Sequence, residues 1–365
     1  MGSELDTALA ESGLIGLHSV NKIYQNLATP FYEGPGVGNN AYYTFFYFVN
    51  GKYYITGADT ANNLDGVICN FDGSIFSSIE IARVGTAGDA DGHDMSSLIV
   101  DDNGYIYVIR VTADATSEVK IAKSDNPYDM TSFSLIQTIT NGVDGVLLDG
   151  HPYLAFLKCG TDIYLFMRGV TDNYGIWKKA LTDETFGSYH KFVIIGNGKV
   201  YKILVRNEAE NKLGFVAMYR EPYDASCYSF LGYLESTDGI TWQNVSGTFS
   251  KNTITSGAIT EAQLHANCVI EYEDTLNTSH WMCMDAIIVN GVPYLLVEEG
   301  VPAVPAVDFT MAYFAISIRY YNGGWIRKVI PDSITGIPYT RSYADFQLYH
   351  LTHDGSNFVL LVLSA

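Results

Sequence analysis

The chain has 365 residues, with 40 Asp and Glu against 21 Lys and Arg and a formal charge of −19 at pH 7. Aromatic residues make up 13 %, including 27 tyrosines, while charged residues make up only 17 %; this composition suits packed sheets and argues against long solvated helices. Strong acidity without any run of Lys or Arg argues against a nucleic-acid partner and an anionic membrane surface, and no run of 18 apolar residues is present to span a bilayer.

In chain order, Glu4 to Ser12 is the one clear helical stretch, about two turns. Met1 to His18 lacks the basic start and long apolar core of a signal peptide. Gly34-Pro35-Gly36-Val37-Gly38 is a loop without the lysine or the strand–helix context of a phosphate-binding loop. From there a cassette recurs: an apolar strand, an Asn-Gly or Asp-Gly turn, then an aromatic residue three positions after the glycine. It occurs as Asn50-Gly51…Tyr54, Asn103-Gly104…Tyr107, Asn197-Gly198…Tyr201, Asn290-Gly291…Tyr294 and Asp354-Gly355…Phe358, with a looser copy at Gly160…Tyr164. Such dipeptides between apolar runs are strong hairpin signals, because type I′ turns need positive φ at both central residues.

The cassettes predict inner hairpins near 42–57, 96–111, 153–168, 191–206, 284–298 and 346–363. Outer hairpins are expected at 119–138, 213–243 and 312–330. Hairpins repeating at this interval define an all-β fold, a single β-propeller of four-stranded antiparallel blades over 31–365. Six hairpin units favour six blades, and five to seven fit the spacing; the gap between Gly198 and Gly291 is the ambiguous part. Residues 1–30 form an N-terminal segment that closes the ring or anchors the protein. Five cysteines (Cys69, Cys159, Cys227, Cys268, Cys283) show no CxxC and sit mostly in apolar runs, so they read as buried thiols, with one or two disulfides still compatible. Asn244-Val245-Ser246 and Asn277-Thr278-Ser279 match the glycosylation sequon.

Three segments carry a family resemblance. The first is Asp89-Ala90-Asp91-Gly92-His93-Asp94 with Ser97 to Gly104. The second is Ala122-Lys123-Ser124-Asp125-Asn126-Pro127-Tyr128-Asp129. The third, Ser236-Thr237-Asp238-Gly239-Ile240-Thr241-Trp242, is similar to an Asp-box one residue short; its Ser and Asp can bond the turn backbone while Trp242 packs between strands. Together they resemble the BNR-repeat propellers, in particular the group that includes ulvan-lyase-like polysaccharide lyases. The resemblance implies histidine and arginine side chains lining the channel and a tyrosine or histidine that moves the proton. By position it implies roles for His93, Tyr153, Arg168, Tyr189 and His190. The second histidine of that group has no counterpart, since Val111-Thr112-Ala113 stands in its place.

The residues themselves point the same way. His93, His151, Tyr153, Arg168, Tyr189 and His190 are expected at the ends of inner strands, which converge on a channel mouth. β-Elimination of a uronate needs a cation on the carboxylate, a base for the C5 proton and an acid at the leaving oxygen. Arg168 suits the first role, His93 or His190 the base, and Tyr153 or Tyr189 the acid or base beside a cation. Arg110, Arg168 and Arg206 recur at the ends of successive predicted inner hairpins and, with His151, are expected to bind an anionic sugar. Glycoside hydrolysis by paired carboxylates, with Asp285 and Glu298-Glu299 among the candidates, is a second enzymatic option. No cofactor is expected. Asp89 to Asp94 is acidic enough to attract a structural Ca²⁺ but lacks an EF-hand pattern.

These observations lead to a carbohydrate-engaging propeller that recognises, and in one reading cleaves, an anionic polysaccharide or cell-surface glycan. The alternative is a non-enzymatic receptor-binding protein of a phage-like particle, bound to virion proteins through its N-terminal segment. Both readings place the protein outside the cell or on a virion, with no nucleic-acid partner and no membrane insertion.

Overall fold

A computed structural model describes residues 17–22, 46–50, 52–58, 64–70, 75–79, 97–111, 118–140, 153–169, 173–195, 200–207, 209, 211–219, 230–272, 280–302, 311–330, 347–353 and 358–364. The predicted helix near the N-terminus and the Gly34–Gly38 loop lie outside these residues.

Strand β1 (Leu17–Lys22) comes first. The first antiparallel meander is β2 (Phe46–Val49), β3 (Lys52–Ala58), β4 (Leu64–Asn70) and β5 (Ile75–Ile79). The second is β6 (Ser97–Val100), β7 (Ile106–Val111), β8 (Glu118–Ser124) and β9 (Phe133–Thr140). The third is β10 (Ala155–Cys159), β11 (Asp162–Gly169), β12 (Asn173–Lys179) and β13 (His190–Ile194). The fourth runs β14 (Val200–Asn207), β15 (Leu213–Tyr219), β16 (Phe230–Ser236) and β17 (Thr241–Gln243), edged by β18 (Ser250–Asn252). An excursion follows: β19 (Ile259–Thr260), helix α1 (Glu261–Asn267) and β20 (Val269–Tyr272). The fifth meander is β21 (His280–Val289), β22 (Val292–Pro302), β23 (Met311–Tyr321) and β24 (Trp325–Ile330). The sixth is the hairpin β25 (Gln347–His353) and β26 (Phe358–Ser364), on which β1 lies parallel to β26.

The leading strands pack in succession, β2 on β6, β6 on β10, β10 on β14, β14 on β21 and β21 on β25. They therefore form the inner wall of a β-propeller, with six blades among the described residues and later strands radiating outward. The core sits in the seams between blades. One cluster joins Tyr54 of blade one to Val108 of blade two, another joins Ile109 to Phe156, a third joins Phe166 to Phe215, and the largest runs from Tyr201 through Leu296 to Leu351. Because seams cover both faces of a blade, inner strands are buried at every position, as in β10 and β15. The outermost β9 exposes Leu135 and is largely solvated.

The cassette aromatics are core residues: Tyr54, Tyr107, Tyr164 and Phe358 are buried on the second strands of their blades. The Asn290-Gly291 turn has φ +50 and +79, the paired left-handed geometry that joins Val289 to Val292 directly. One predicted hairpin is corrected. The 191–206 segment is not a hairpin: β13 pairs with β12 and β19, whereas β14 pairs with β15 and β21. Residues between β13 and β14 therefore join two blades, and 213–243 supplies the second to fourth strands of blade four.

The Asp-box-like turn links β16 to β17. Ser236 Oγ accepts from the Gly239 N–H (2.9 Å), and Asp238 Oδ1 accepts from the Ile240 and Thr241 N–H groups (2.8 and 2.7 Å). The Trp242 indole N–H donates to the Gly239 carbonyl at 3.1 Å, and the ring is fully buried. Gly239 has φ +71, and a Cβ there would also collide with the Tyr164 ring of blade three. The turn thus docks blade four against blade three, where the Tyr164 hydroxyl donates to the Asp238 carbonyl.

Candidate functional site

Two strand ends meet in the seam between blades three and four. Tyr153 leads into β10 with φ +44, an unusual backbone for a bulky residue, held in place by near-complete burial. Arg168 stands near the end of β11, and Tyr201 near the start of β14. The Arg168 guanidinium lies 4.3 Å from the Tyr153 ring centroid and 5.5 Å from that of Tyr201. The two rings meet edge to face at 5.2 Å. A guanidinium stacked against two phenol faces is a cation–π arrangement that fixes the plane of its donor fork.

Lys202 follows Tyr201 on β14 and points to the opposite face of the strand. Its ammonium nitrogen lies 5.8 Å from the Tyr174 ring centroid, and Tyr174 sits opposite Arg168 in the β11–β12 ladder. Lys202 is fully buried, and that burial together with the nearby Arg168 charge pushes its pKa well below the lysine range. Arg168 and both phenols thus lie below the protein surface where β11 ends and β14 begins: Tyr153 is 1 % exposed, Arg168 3 % and Tyr201 7 %, with Lys202 on the other face of β14 from Tyr201.

Of the sequence-predicted residues, the structure brings Tyr153 and Arg168 together. Tyr189 and His190 lie elsewhere, at the outermost strand of blade three. The Tyr189 ring packs on Trp177 (centroids 4.6 Å apart) and over Gly175, where a Cβ would overlap it. Burial raises its phenol to about 12. His190 Nε2 bonds the Gly239 carbonyl at 3.1 Å, an interblade contact, and burial lowers its pKa. The expected placement at the channel mouth failed because β13 closes a blade instead of opening one.

Arg206 is likewise displaced from the expected row. It lies at the far end of β14 from Tyr201, about 16 Å away at the usual strand rise. Its Nη2 donates to Asp285 Oδ2 (2.6 Å) and to the Leu351 carbonyl (2.7 Å), and the Leu351 N–H donates back to Asp285 (2.7 Å). These bonds tie together the inner strands of blades four, five and six. Arg110, on β7, occupies the second strand of its blade near the same end as Arg168 does on β11; its side chain is outside the description. His93, His151 and the acidic Asp89–Asp94 stretch lie outside the described residues.

Among the carboxylate candidates, Glu299 accepts from both Arg319 (2.5 Å) and Arg327, so it belongs to an ion network within blade five. Asp285 is held by the Arg206 contacts just described. The Asn244 sequon is not presented for modification: Asn244 is buried, and its Nδ2 donates to Thr248 Oγ1 and the Asn267 carbonyl. Cys159, Cys268 and Cys283 are buried thiols. Among the described residues no cluster of His, Cys, Asp and Glu is placed to hold a metal ion, and no helix is long and apolar enough to cross a membrane.

Sequence reasoning missed Tyr201 and Lys202. The signal for Tyr201 was present, since it is a cassette aromatic. It differs from the others in following a blade-to-blade connection, and so falls on a first strand.

The radiating meanders, seam cores and Asp-box-like turn define the class, a β-propeller of the Asp-box type. The chain belongs to the BNR repeat-containing family, whose model matches residues 36–312. The solved structure of a polysaccharide lyase, PL25 ulvanlyase, bound to -[GlcA(1-4)Rha3S]-, superposes with a TM-score of 0.63 at 15 % identity, covering 93 % of this chain and 78 % of that one. The α-L-arabinanase of Cellvibrio cellulosa gives a TM-score of 0.45 at 10 % identity, covering 81 % and 97 %. The Aleuria aurantia lectin, a six-bladed β-propeller, gives 0.42 at 10 % identity, covering 79 % and 75 %. At 15 % identity the likeness to the lyase is one of fold. No curated protein matches the chain.

Proposed function

We propose that this protein is a carbohydrate-engaging propeller that recognises an anionic polysaccharide through Arg168 in the seam of blades three and four. The observation that carries the reading is the guanidinium held between Tyr153 and Tyr201 where two adjacent inner strands begin. A uronate carboxylate accepts two parallel hydrogen bonds from such a fork, and the phenols flank it as sugar-stacking and hydroxyl-bearing groups. The left-handed backbone of Tyr153 fits this reading, since strained residues cluster at functional sites. The glucuronate-containing ligand of the structurally similar ulvanlyase supports the same ligand class.

The chemistry this arrangement suits is β-elimination. Arg168 would neutralise the carboxylate and so acidify the C5–H bond; one phenol, as phenolate, would take the C5 proton, the C4–O bond would break as the C4=C5 double bond forms, and the leaving oxygen would take a proton from that same phenol or from its neighbour. Tyr201 replaces Tyr189 in this scheme, because it adjoins the guanidinium. Since the cluster is covered, an anion reaches Arg168 only when the overlying side chains yield, which places association below the ordinary 10⁵–10⁷ M⁻¹s⁻¹ range, in order of magnitude.

The test is product release from a panel of uronic-acid and neutral polysaccharides, following reducing ends and absorbance near 235 nm together. A joint rise on uronate polymers is the expected result. Reducing ends without the absorbance rise would replace elimination by hydrolysis. Binding without release would leave a recognition propeller, and neither binding nor release on any uronate polymer would sink the proposal.

A further inference from the structure

Two lysines from different blades converge on one tyrosine ring. Lys179 closes β12 of blade three, and Lys123 stands near the end of β8 of blade two. Their ammonium nitrogens lie 5.1 and 5.9 Å from the Tyr107 ring centroid, and Lys123 also lies 3.8 Å from that of Tyr105. Lys179 is 2 % exposed, whereas Lys123 and Tyr105 are half-buried and reach solvent. Neither lysine meets a carboxylate among the described residues, in a chain that has 40 Asp and Glu. Lys179 donates to the Ala180 carbonyl at 3.1 Å, and Lys123 has ring faces alone. By contrast, Lys158, Lys178 and Lys212 each pair with an acid. We infer that Lys123 and Lys179 form an anion site in the seam of blades two and three, which takes a tetrahedral oxyanion, a sulfate or phosphate group. Strand β12 runs about 16 Å from Tyr174, the ladder partner of Arg168, to Lys179, so this site is separate from the Arg168 site and does not depend on that reading.

The basis is an unmet need for negative charge. A ring face compensates an ammonium less than an anion does, and burial opposes the charged form of Lys179. The acids nearby are engaged. Asp101 accepts from the Tyr107 hydroxyl (3.1 Å) and from the Asn103 and Tyr105 N–H groups (2.9 and 2.8 Å). Asp102 pairs with Lys158, and Asp183 accepts from the Ala180 N–H at 3.1 Å. An oxyanion between the two ammoniums replaces their mutual repulsion with two charge-assisted hydrogen bonds. Two compact ammoniums from opposite sides of a seam suit an anion with acceptors in several directions; a planar carboxylate is better matched by an arginine fork. Lys123, on a flexible stem at the open end, closes the site over a ligand held deeper by Lys179.

The experiment is the melting temperature of the intact protein in rising sodium sulfate, at an ionic strength held constant with sodium chloride. Wild type, Lys179→Met and Lys123→Met are compared. Sulfate also stabilises by exclusion from any protein surface, and that part is common to all three and does not saturate. A site adds a saturable rise. Wild type is expected to show it, Lys179→Met to lose it, and Lys123→Met to need about 10-fold more sulfate for the same rise. Galactose 6-sulfate then replaces the inorganic salt, with galactose as the control. A rise with the sugar sulfate and not with galactose supports a sugar-borne anion; a rise with inorganic sulfate alone supports a free one. No saturable rise in wild type overturns the site. A saturable rise that survives in Lys179→Met places the anion elsewhere, at Arg168 for example, and overturns it too. Should Lys179→Met fail to fold, Lys123→Met, at a half-buried position, decides: an unshifted rise there overturns the proposal.

Discussion

Arg168 shows how much one residue depends on its neighbours for meaning. An arginine near the end of a strand is ordinary; one clamped between Tyr153 and Tyr201 in a seam has its donor plane fixed before any ligand arrives. Tyr201→Phe keeps the ring and the edge-to-face contact but removes the hydroxyl. If that hydroxyl moves the proton, turnover on a uronate polymer should fall about 100-fold or more while KM stays within about threefold. A fall in affinity with turnover intact would instead make Tyr201 a stacking residue. The sequence marked Tyr153 and Arg168 through the family resemblance, and Arg168 also through its offset from a hairpin turn. It could not mark Lys202, whose burial beside Tyr174 of blade three depends on the packing of two blades. Arg206 was misread for the converse reason: its offset resembled that of Arg168, yet it lies on a first strand and at the opposite end, where it binds Asp285.

At the scale of elements, the Asp-box-like turn and the excursion after β18 explain how blade four is held. β19 adds to the edge of β13 in blade three, β20 adds to β16 in blade four, and Glu271 on β20 accepts from Arg319 Nε in blade five at 2.9 Å. The short helix α1 lies between them, with His265 bonded to the Tyr219 hydroxyl and Lys251 donating to Gln263 Oε1 at 2.9 Å. One excursion therefore clasps three blades. Trp242 is the packing centre on the blade-three side, against Phe166, Phe192 and Phe215. Trp242→Ala should cost about 3–5 kcal/mol of stability, read by chemical denaturation; a cost under 1 kcal/mol would show that the turn is not what fixes the seam. Most elements were legible because Asn-Gly turns and apolar runs are local signals. The β13–β14 error arose because Asn197-Gly198, a hairpin dipeptide, stands in a connection between blades. The clasp was illegible because its two-residue strand and parallel pairing leave no periodic trace.

For the whole molecule, ring integrity depends on contacts between blades and with the excursion that clasps them, and two of these contacts are made by histidines. His190 holds the Gly239 carbonyl and His265 meets Tyr219, and burial lowers both pKa values below the ordinary 6.5. A histidine whose folded pKa is depressed stabilises the fold fully above its unfolded pKa, and that contribution is lost as pH falls through the folded value. Thermal stability should therefore drop between pH 7 and pH 5, and a His190→Gln, His265→Gln variant should show a shallower drop. Equal slopes for variant and wild type would remove these histidines from the explanation. The formal charge of −19 acts in the opposite sense, since acidification relieves self-repulsion, so the comparison between variants is the informative one.

Recognition of an anionic sugar by an acidic propeller requires a local cation, and in the proposed function Arg168 is that cation. The most direct measurement is the affinity of a glucuronate-containing oligosaccharide for wild type and for Arg168→Lys, with melting temperatures recorded in parallel. Lysine keeps the charge but loses the fork and the stacked plane, so affinity is expected to fall about 10- to 100-fold at similar melting temperature. Equal affinity in the two proteins would contradict the account and move the ligand away from the seam of blades three and four.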